Sequence, residues 1–198
     1  MTKPDTLPWC AIIAGPNGAG KTTFALHYLP SVLGCRSFVN ADAIAAGLSP
    51  LAPEHERISA SRLFLKEIEH YIGKQESFAF ETTLSGKSYL RLIRRLQAKG
   101  WQVALFYLWL PDVELSIARV KERVEHGGHA IPEEDIRRRF PRSIKNLQSD
   151  YGKLCDITLC FDNSAEPELI YTQRGEQIKI ENTLTYKRLL EQAEYETR

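Results

Sequence analysis

The chain has 198 residues, 43% hydrophobic and 26% charged, with 26 Lys and Arg against 25 Asp and Glu. That length suits one domain able to bury a core without disulfide or metal staples, and the composition excludes disordered and fibrous classes. A formal charge of +1 supplies no whole-chain field for nucleic acid or lipid, so any anion site must be local.

Met1 to Pro8 hold an acid and two prolines where a secretion leader would be apolar, so the chain is expected in the cytoplasm. Short apolar runs then alternate with helical patterns, as in βα units around a parallel sheet. Strands are expected at Trp9 to Ala14, Arg36 to Val39, Ser77 to Phe80, Gln102 to Leu110 and Asp156 to Phe161. The apolar run Val103 to Leu110 is the longest, far short of the roughly 20 residues that cross a bilayer. Thr23 to Leu29 reads as a helix ended by Pro30. A longer one spans about Glu54 to Ile72, with Ile58, Leu65, Ile68 and Ile72 on one face and Arg62 at its margin. A cation there is expected to hold an anionic partner, and Arg62 is taken as a substrate-binding candidate.

Tyr89, Leu92, Ile93 and Leu96 mark a helix stopped at Gly100, and Val113, Ile117, Val120 and Val124 mark the next. Leu169 to Thr172 and Gln177 to Ile180 flank a turn at Gly175, a terminal hairpin, and a helix from about Leu184 closes the chain. Cys10, Cys35, Cys155 and Cys160 lack C-x-x-C spacing and read as buried thiols.

Gly15-Pro16-Asn17-Gly18-Ala19-Gly20-Lys21-Thr22 is a complete G-x-x-x-x-G-K-T match, with a strand before it and a helix after it. The glycines let successive N–H groups converge on phosphate oxygens; Lys21 adds a point charge and Thr22 a hydroxyl for Mg²⁺. Gly15 to Thr23 are the nucleotide-binding candidates for ATP. The expected fold is accordingly α/β, of P-loop NTPase type, one domain over residues 1–198. It has a doubly wound, mainly parallel five-stranded sheet, a helical lid at about 119–150, and a C-terminal hairpin and helix at about 167–196. The same string opens transporter-type ATPases, but Leu84 to Ser88 only partly echoes their L-S-G-G-Q signature and no apolar strand ends in Asp-Glu.

Crevices in such sheets lie at the carboxyl ends of the strands. Asp42 follows the second strand and Glu81 ends the third, near Asn40, Thr82 and Thr83. Asp42 is the candidate base for an acceptor hydroxyl; the others are candidates for holding substrate. The bland readings are helix capping by Asp42 and a structural ion pair for Glu81. Gly127 to Pro132 form a joint between helices, flanked by Arg119, Arg123, Arg137, Arg138, Arg139, Arg142 and Lys145. A lid arginine reaching the transferring phosphate would stabilise its spreading charge. Arg119 and Arg138 are the catalytic candidates, although a solvated face paired with Glu133 to Asp135 accounts for some of these cations. His126 and His129 have no Cys or carboxylate completing a zinc spacing.

These motifs together resemble the zeta toxin family of P-loop kinases over about Ile12 to Ser164. The resemblance rests on Gly15 to Thr23, Asn40 to Asp42, Phe80 to Gly86, the Arg119 to Val124 helix, Gly127 to Pro132 and Phe161 to Ser164. It implies ATP- and Mg²⁺-dependent phosphorylation of an acceptor hydroxyl, with Asp42 as base, Glu81 as substrate-binding acid and Arg119 as the first of two lid arginines. Better-known members act on UDP-N-acetylglucosamine, and an antitoxin-like protein partner is implied as well. With Pro132 aligned to the lid proline of those members, their second arginine falls at or near His129, so Arg137, Arg138, Arg139 or Arg142 would have to substitute. The rival expectation is a nucleotide-dependent binding module or switch in which Asp42 merely caps a helix.

Overall fold

The computed structural model describes residues 7–194. Residues 1–6, where no apolar leader is expected, and 195–198, including the end of the expected closing helix, lie outside the described residues. In chain order the first half contains β1 (Trp9–Ala14), α1 (Lys21–Val32), β2 (Phe38–Val39), α2 (Ala41–Leu48), α3 (Arg57–Lys74), β3 (Phe78–Thr82) and α4 (Leu90–Ala98). The second contains β4 (Gln102–Trp109), α5 (Val113–Glu125), α6 (Glu133–Asn146), α7 (Gly152–Leu154), β5 (Ile157–Asp162), β6 (Glu168–Arg174), β7 (Gln177–Ile180) and α8 (Thr183–Glu194). A 3₁₀ turn, Pro53–Glu56, precedes α3, and a π turn, Leu147–Tyr151, joins α6 to α7.

The strands form one sheet in the order β2-β3-β1-β4-β5-β6-β7. It is parallel through β5 and antiparallel at β6 and β7. The fold is the expected P-loop α/β type, but the strand count of five is corrected to seven. The hairpin of β6 and β7 pairs with β5 instead of standing apart, which closes an edge that would otherwise leave backbone groups unpaired. Local turn signals fix a hairpin; they do not say which edge receives it.

β1 and β4 are the central strands, and Ile12, Ile13, Leu105, Tyr107 and Leu108 have no exposed surface. Helices cover both faces of such strands, so they read as unbroken apolar runs. β1 lies between β3 and β4, which puts the loop after Ala14 in the crevice between them. Among the described residues no helix is long and apolar enough to cross a membrane, and all four cysteines are free and buried.

Three helix readings are corrected. The buried stripe of α3 is Ala60, Phe64, Ile68 and Ile72, while Ile58 is 69% and Leu65 55% exposed. The strict four-residue spacing with the small Ala60 fits the sheet, and Arg62 consequently faces solvent. α1 runs past Pro30 to Val32, because a proline in the last turn removes only one hydrogen bond and the Leu33 and Cys35 N–H groups still return to the Leu29 carbonyl. α6 likewise continues through Pro141, where the proline alone predicts an interruption of the lid helix, held by buried Ile136, Phe140 and Ile144 on either side of it.

Candidate active site

The phosphate loop joins β1 to α1 and is braced from outside. A Cβ on Gly15 would meet the Leu108 carbonyl oxygen at 2.4 Å, and one on Gly20, at φ +76°, would meet Asn163 Nδ2 at 2.8 Å. Glycine is required by close approach at the first and by both approach and left-handed backbone at the second. Asn163 Nδ2 donates to the Ala19 carbonyl at 2.7 Å, and the Ser116 hydroxyl on α5 donates to the Asn17 carbonyl.

Lys21 is 7% exposed, donates to the Pro16 carbonyl at 2.9 Å and lies 3.8 Å from Glu81 Oε1. Burial holds its pKa below the ordinary lysine range, Glu81 and Asp42 oppose that shift, and the Arg123 guanidinium adds to it. The Thr22 hydroxyl donates to Glu81 Oε2 at 2.7 Å, and Asn40 Nδ2 donates to the same oxygen at 2.8 Å. Glu81 therefore orients the loop's own Lys and Thr, and it also lines the cavity beside them. Because Thr22 spends its proton on Glu81, its oxygen can face a hard divalent cation, so the donor set fits Mg²⁺ with Thr22 as protein ligand.

The capping reading of Asp42 is corrected: Asn40 caps α2, its Oδ1 accepting from the Asp42 and Ala43 N–H groups at 2.8 and 3.1 Å. Asp42 is exposed in the first turn with its carboxylate uncommitted to the cap. It lines a polar cavity of about 190 Å³ together with Asn17, Lys21, Asn40, Glu81, Thr82, Thr83, Tyr89 and Arg123. Asn17 is 7% exposed, and its Oδ1, shut off from solvent, has no hydrogen-bond partner among the described residues. A wider cleft of about 890 Å³ continues past Thr22 and Asp42, between Leu51, Pro53 and Arg57 on one side and Gly127 to Pro132 on the other.

Thr82 and Thr83 are presented by a constrained turn. Leu84 is completely buried at φ +58°, a conformation costing a leucine about 1–2 kcal/mol. Hydrogen bonds from Ser143 to the Thr83 carbonyl, Asn146 to the Leu84 carbonyl and Tyr151 to the Gly86 carbonyl, at 2.6, 2.8 and 2.9 Å, hold it. Those donors sit on α6 and the π turn, where Phe140, Ile144, Leu147 and Tyr151 belong to the main core. The later half of the expected 119–150 lid is thus anchored to the core.

The lid arginines fall differently from expectation. Arg137 pairs with Glu114 and Glu133, and Arg138 and Arg139 both pair with Asp135 on their own helix. None of them, nor Arg142, lines either cavity at the phosphate loop. Arg138 is therefore corrected to a surface pair. Arg62 is likewise outside both cavities. Arg123, noted in sequence only as one of several flanking cations, lines both cavities, its guanidinium held by the His129 carbonyl at 2.8 Å. Its signal was spacing: one helical turn beyond Arg119, at the last turn before the glycine joint. Arg119 instead donates to the carbonyls of Asn163 and Ser164 at 2.8 and 2.7 Å. It lines a third cavity, of about 820 Å³, with Gly18, Gly20, Thr23, Phe24, Tyr28 and Phe161.

A family model described as Zeta toxin matches residues 1–175. The chain belongs to the zeta toxin family. An uncharacterized protein of Haemophilus influenzae is 34% identical over 130 residues, covering 64% of this chain and 88% of the relative. Two solved structures share the fold at 18% identity. One is a chain of the AvrRxo1-ORF1:-ORF2 complex with ATP (TM-score 0.71, 93% of this chain); the present chain spans 64% of it. The other belongs to the PezAT chromosomal toxin-antitoxin system of Streptococcus pneumoniae (TM-score 0.62, 98% of this chain and 86% of that one).

Proposed function

We propose that the protein is an ATP- and Mg²⁺-dependent kinase that phosphorylates a hydroxyl of a small molecule, acting in the cytoplasm. The observation that carries this reading is the convergence of Lys21, Asp42, Thr82, Thr83 and Arg123 on one cavity at the phosphate loop. Nucleotide phosphates would lie along the amides from Gly15 to Thr23, with the Lys21 ammonium turning from Pro16 to the terminal phosphates. Mg²⁺, held at Thr22, would offset charge on the phosphate oxygens. Asp42 accepts the proton of the acceptor hydroxyl as its oxygen bonds to the γ-phosphorus and the bond to the ADP oxygen breaks. Arg123 stabilises charge on the transferring group, and closure of the 127–132 loop removes water as a competing acceptor. Thr82 and Thr83 suit polar groups of the acceptor.

Arg119 is assigned to the nucleobase side, beside Phe24, Tyr28 and Phe161. Arg119→Ala should weaken ATP binding about tenfold, as expected for loss of a cation stacked on an aromatic ring, and leave saturated turnover within about threefold. Calorimetry and steady-state kinetics separate the two; a loss confined to turnover would return Arg119 to the transferring phosphate. Lys21→Ala should lower ATP affinity by about 10–100-fold, the worth of a charge-assisted hydrogen bond. Equal affinities by calorimetry would remove Lys21 from the phosphates.

The acceptor class is tested by incubation with ATP labelled at the γ-phosphate and a panel of sugar nucleotides, including UDP-N-acetylglucosamine, with nucleosides and sugars. A labelled small molecule supports the reading; binding of ATP with no transfer to any acceptor or to water favours a nucleotide-dependent switch. An antitoxin-like protein partner is part of the proposal, since the two structural neighbours come from an ORF1:ORF2 complex and a toxin-antitoxin system.

A further inference from the structure

The Asn40 side chain is 8% exposed, and its amide is hydrogen-bonded on both sides. Oδ1 accepts the N–H groups of Asp42 at 2.8 Å and Ala43 at 3.1 Å. Nδ2 donates to Glu81 Oε2 at 2.8 Å and to Thr22 Oγ1 at 3.3 Å. Those two acceptors lie 2.7 Å apart on one side of Nδ2 and share a single N–H, so one amide joins three elements while Asn40 still lines the cavity.

α2 has eight residues and packs on α3, with Ala45 buried and Ala41 and Ile44 partly buried against the core. Its first turn carries Asp42, and the Asn40 side chain hydrogen-bonds that turn to Glu81 and Thr22. Thr22 rides on α1 and Glu81 lies near the end of β3, which pairs with β1 in the central sheet. We infer that Asn40 is a positioning residue for phosphoryl transfer, bracketing the Asp42 turn of α2 to the Thr22–Glu81 pair so that base and cation-binding hydroxyl keep a fixed spacing. The inference rests on the kinase reading given above. A misplacement of about 1 Å in such a constellation can cost on the order of 10²-fold in rate.

Two substitutions divide the amide's roles. Serine is a good N-cap, so Asn40→Ser keeps the acceptor toward α2 and deletes the donor toward Glu81 and Thr22. Asn40→Ala deletes both. Asn40→Ala should melt below Asn40→Ser, which keeps the cap. Both should lose turnover by about 10–100-fold, with the KM for ATP within about threefold of wild type. The second readout needs no acceptor: Mn²⁺ bound with a non-hydrolysable ATP analogue, titrated by electron paramagnetic resonance. Partners of metal ligands typically contribute about 10–100-fold in metal affinity, so both variants should bind Mn²⁺ at least about tenfold more weakly.

Wild-type Mn²⁺ affinity and turnover in Asn40→Ser would overturn the bracket, and so would a loss confined to the KM of the acceptor, which belongs to a substrate contact. A wild-type protein that binds Mn²⁺ with the analogue but transfers no phosphate defeats the kinase reading instead. In that event unchanged Mn²⁺ affinity in Asn40→Ser still overturns the coupling to Thr22.

Discussion

Asp42→Asn is expected to lower turnover by about 10²–10⁴-fold, the usual worth of a positioned general base, with ATP affinity unchanged. The amide matches the carboxylate in shape and cannot take a proton. Because Asn40 caps α2, the substitution leaves the cap intact. The acid in the first turn interacts with the helix dipole by only about 0.3–1 kcal/mol, so the variant should remain folded. Phosphate transfer from labelled ATP and calorimetry of ATP binding, on the same preparation, check it. Unchanged turnover would remove Asp42 from the role of base, and a parallel loss of ATP affinity would place it on the nucleotide instead.

Arg123→Ala should cost about 10³-fold or more in turnover, the lower end of what an arginine contributes at a transferring phosphoryl group. Arg123 lies at the end of α5 where both cavities meet, and its field is felt at Lys21. Arg138→Ala is the matched control: its guanidinium is 53% exposed and paired with Asp135, so the effect should stay within about twofold. Rapid-quench measurement of a single turnover distinguishes a loss in the chemical step from slow product release. Equal effects of the two substitutions would mean that a general cationic field acts at the lid and that no single arginine reaches the phosphate.

How much of this could be read in the chain alone differs by element. The P-loop was legible because its residue types serve backbone requirements that hold in any context: Gly15 and Gly20 meet atoms that a Cβ would strike. β1 and β4 were legible because burial on both faces demands continuous apolar residues. The positions of Asp42 and Glu81 at strand ends followed from the direction of parallel strands. α3 was misread by register, since Ile58 and Leu65 are apolar yet Ala60 and Phe64 make the contact. Hydrophobicity alone does not choose between two stripes when a small residue permits the closer approach.

The same limit governs the arginines. Seven cations near the glycine joint are alike in sequence; the pairing of Arg138 with Asp135 on its own helix is local and legible, whereas the placing of Arg123 at the cavity is not. Which cation meets the phosphate loop depends on distances between separate elements that local pattern does not carry. Asn40 shows it again: a cap can be foreseen from Asn before a helix, whereas its donors meeting Glu81, 41 residues away, cannot.

By itself, then, the sequence determined the α/β class, the phosphate cradle and the two acids at the crevice, because periodicity and backbone sterics act over a few residues. The tertiary structure alone decided the seven-stranded sheet, the assignment of the cap to Asn40, the pairing of Glu81 with Thr22 and the arginine that faces the cavity. Those depend on which distant groups satisfy one another once the chain has closed, and burial without a partner is what makes the choice unique.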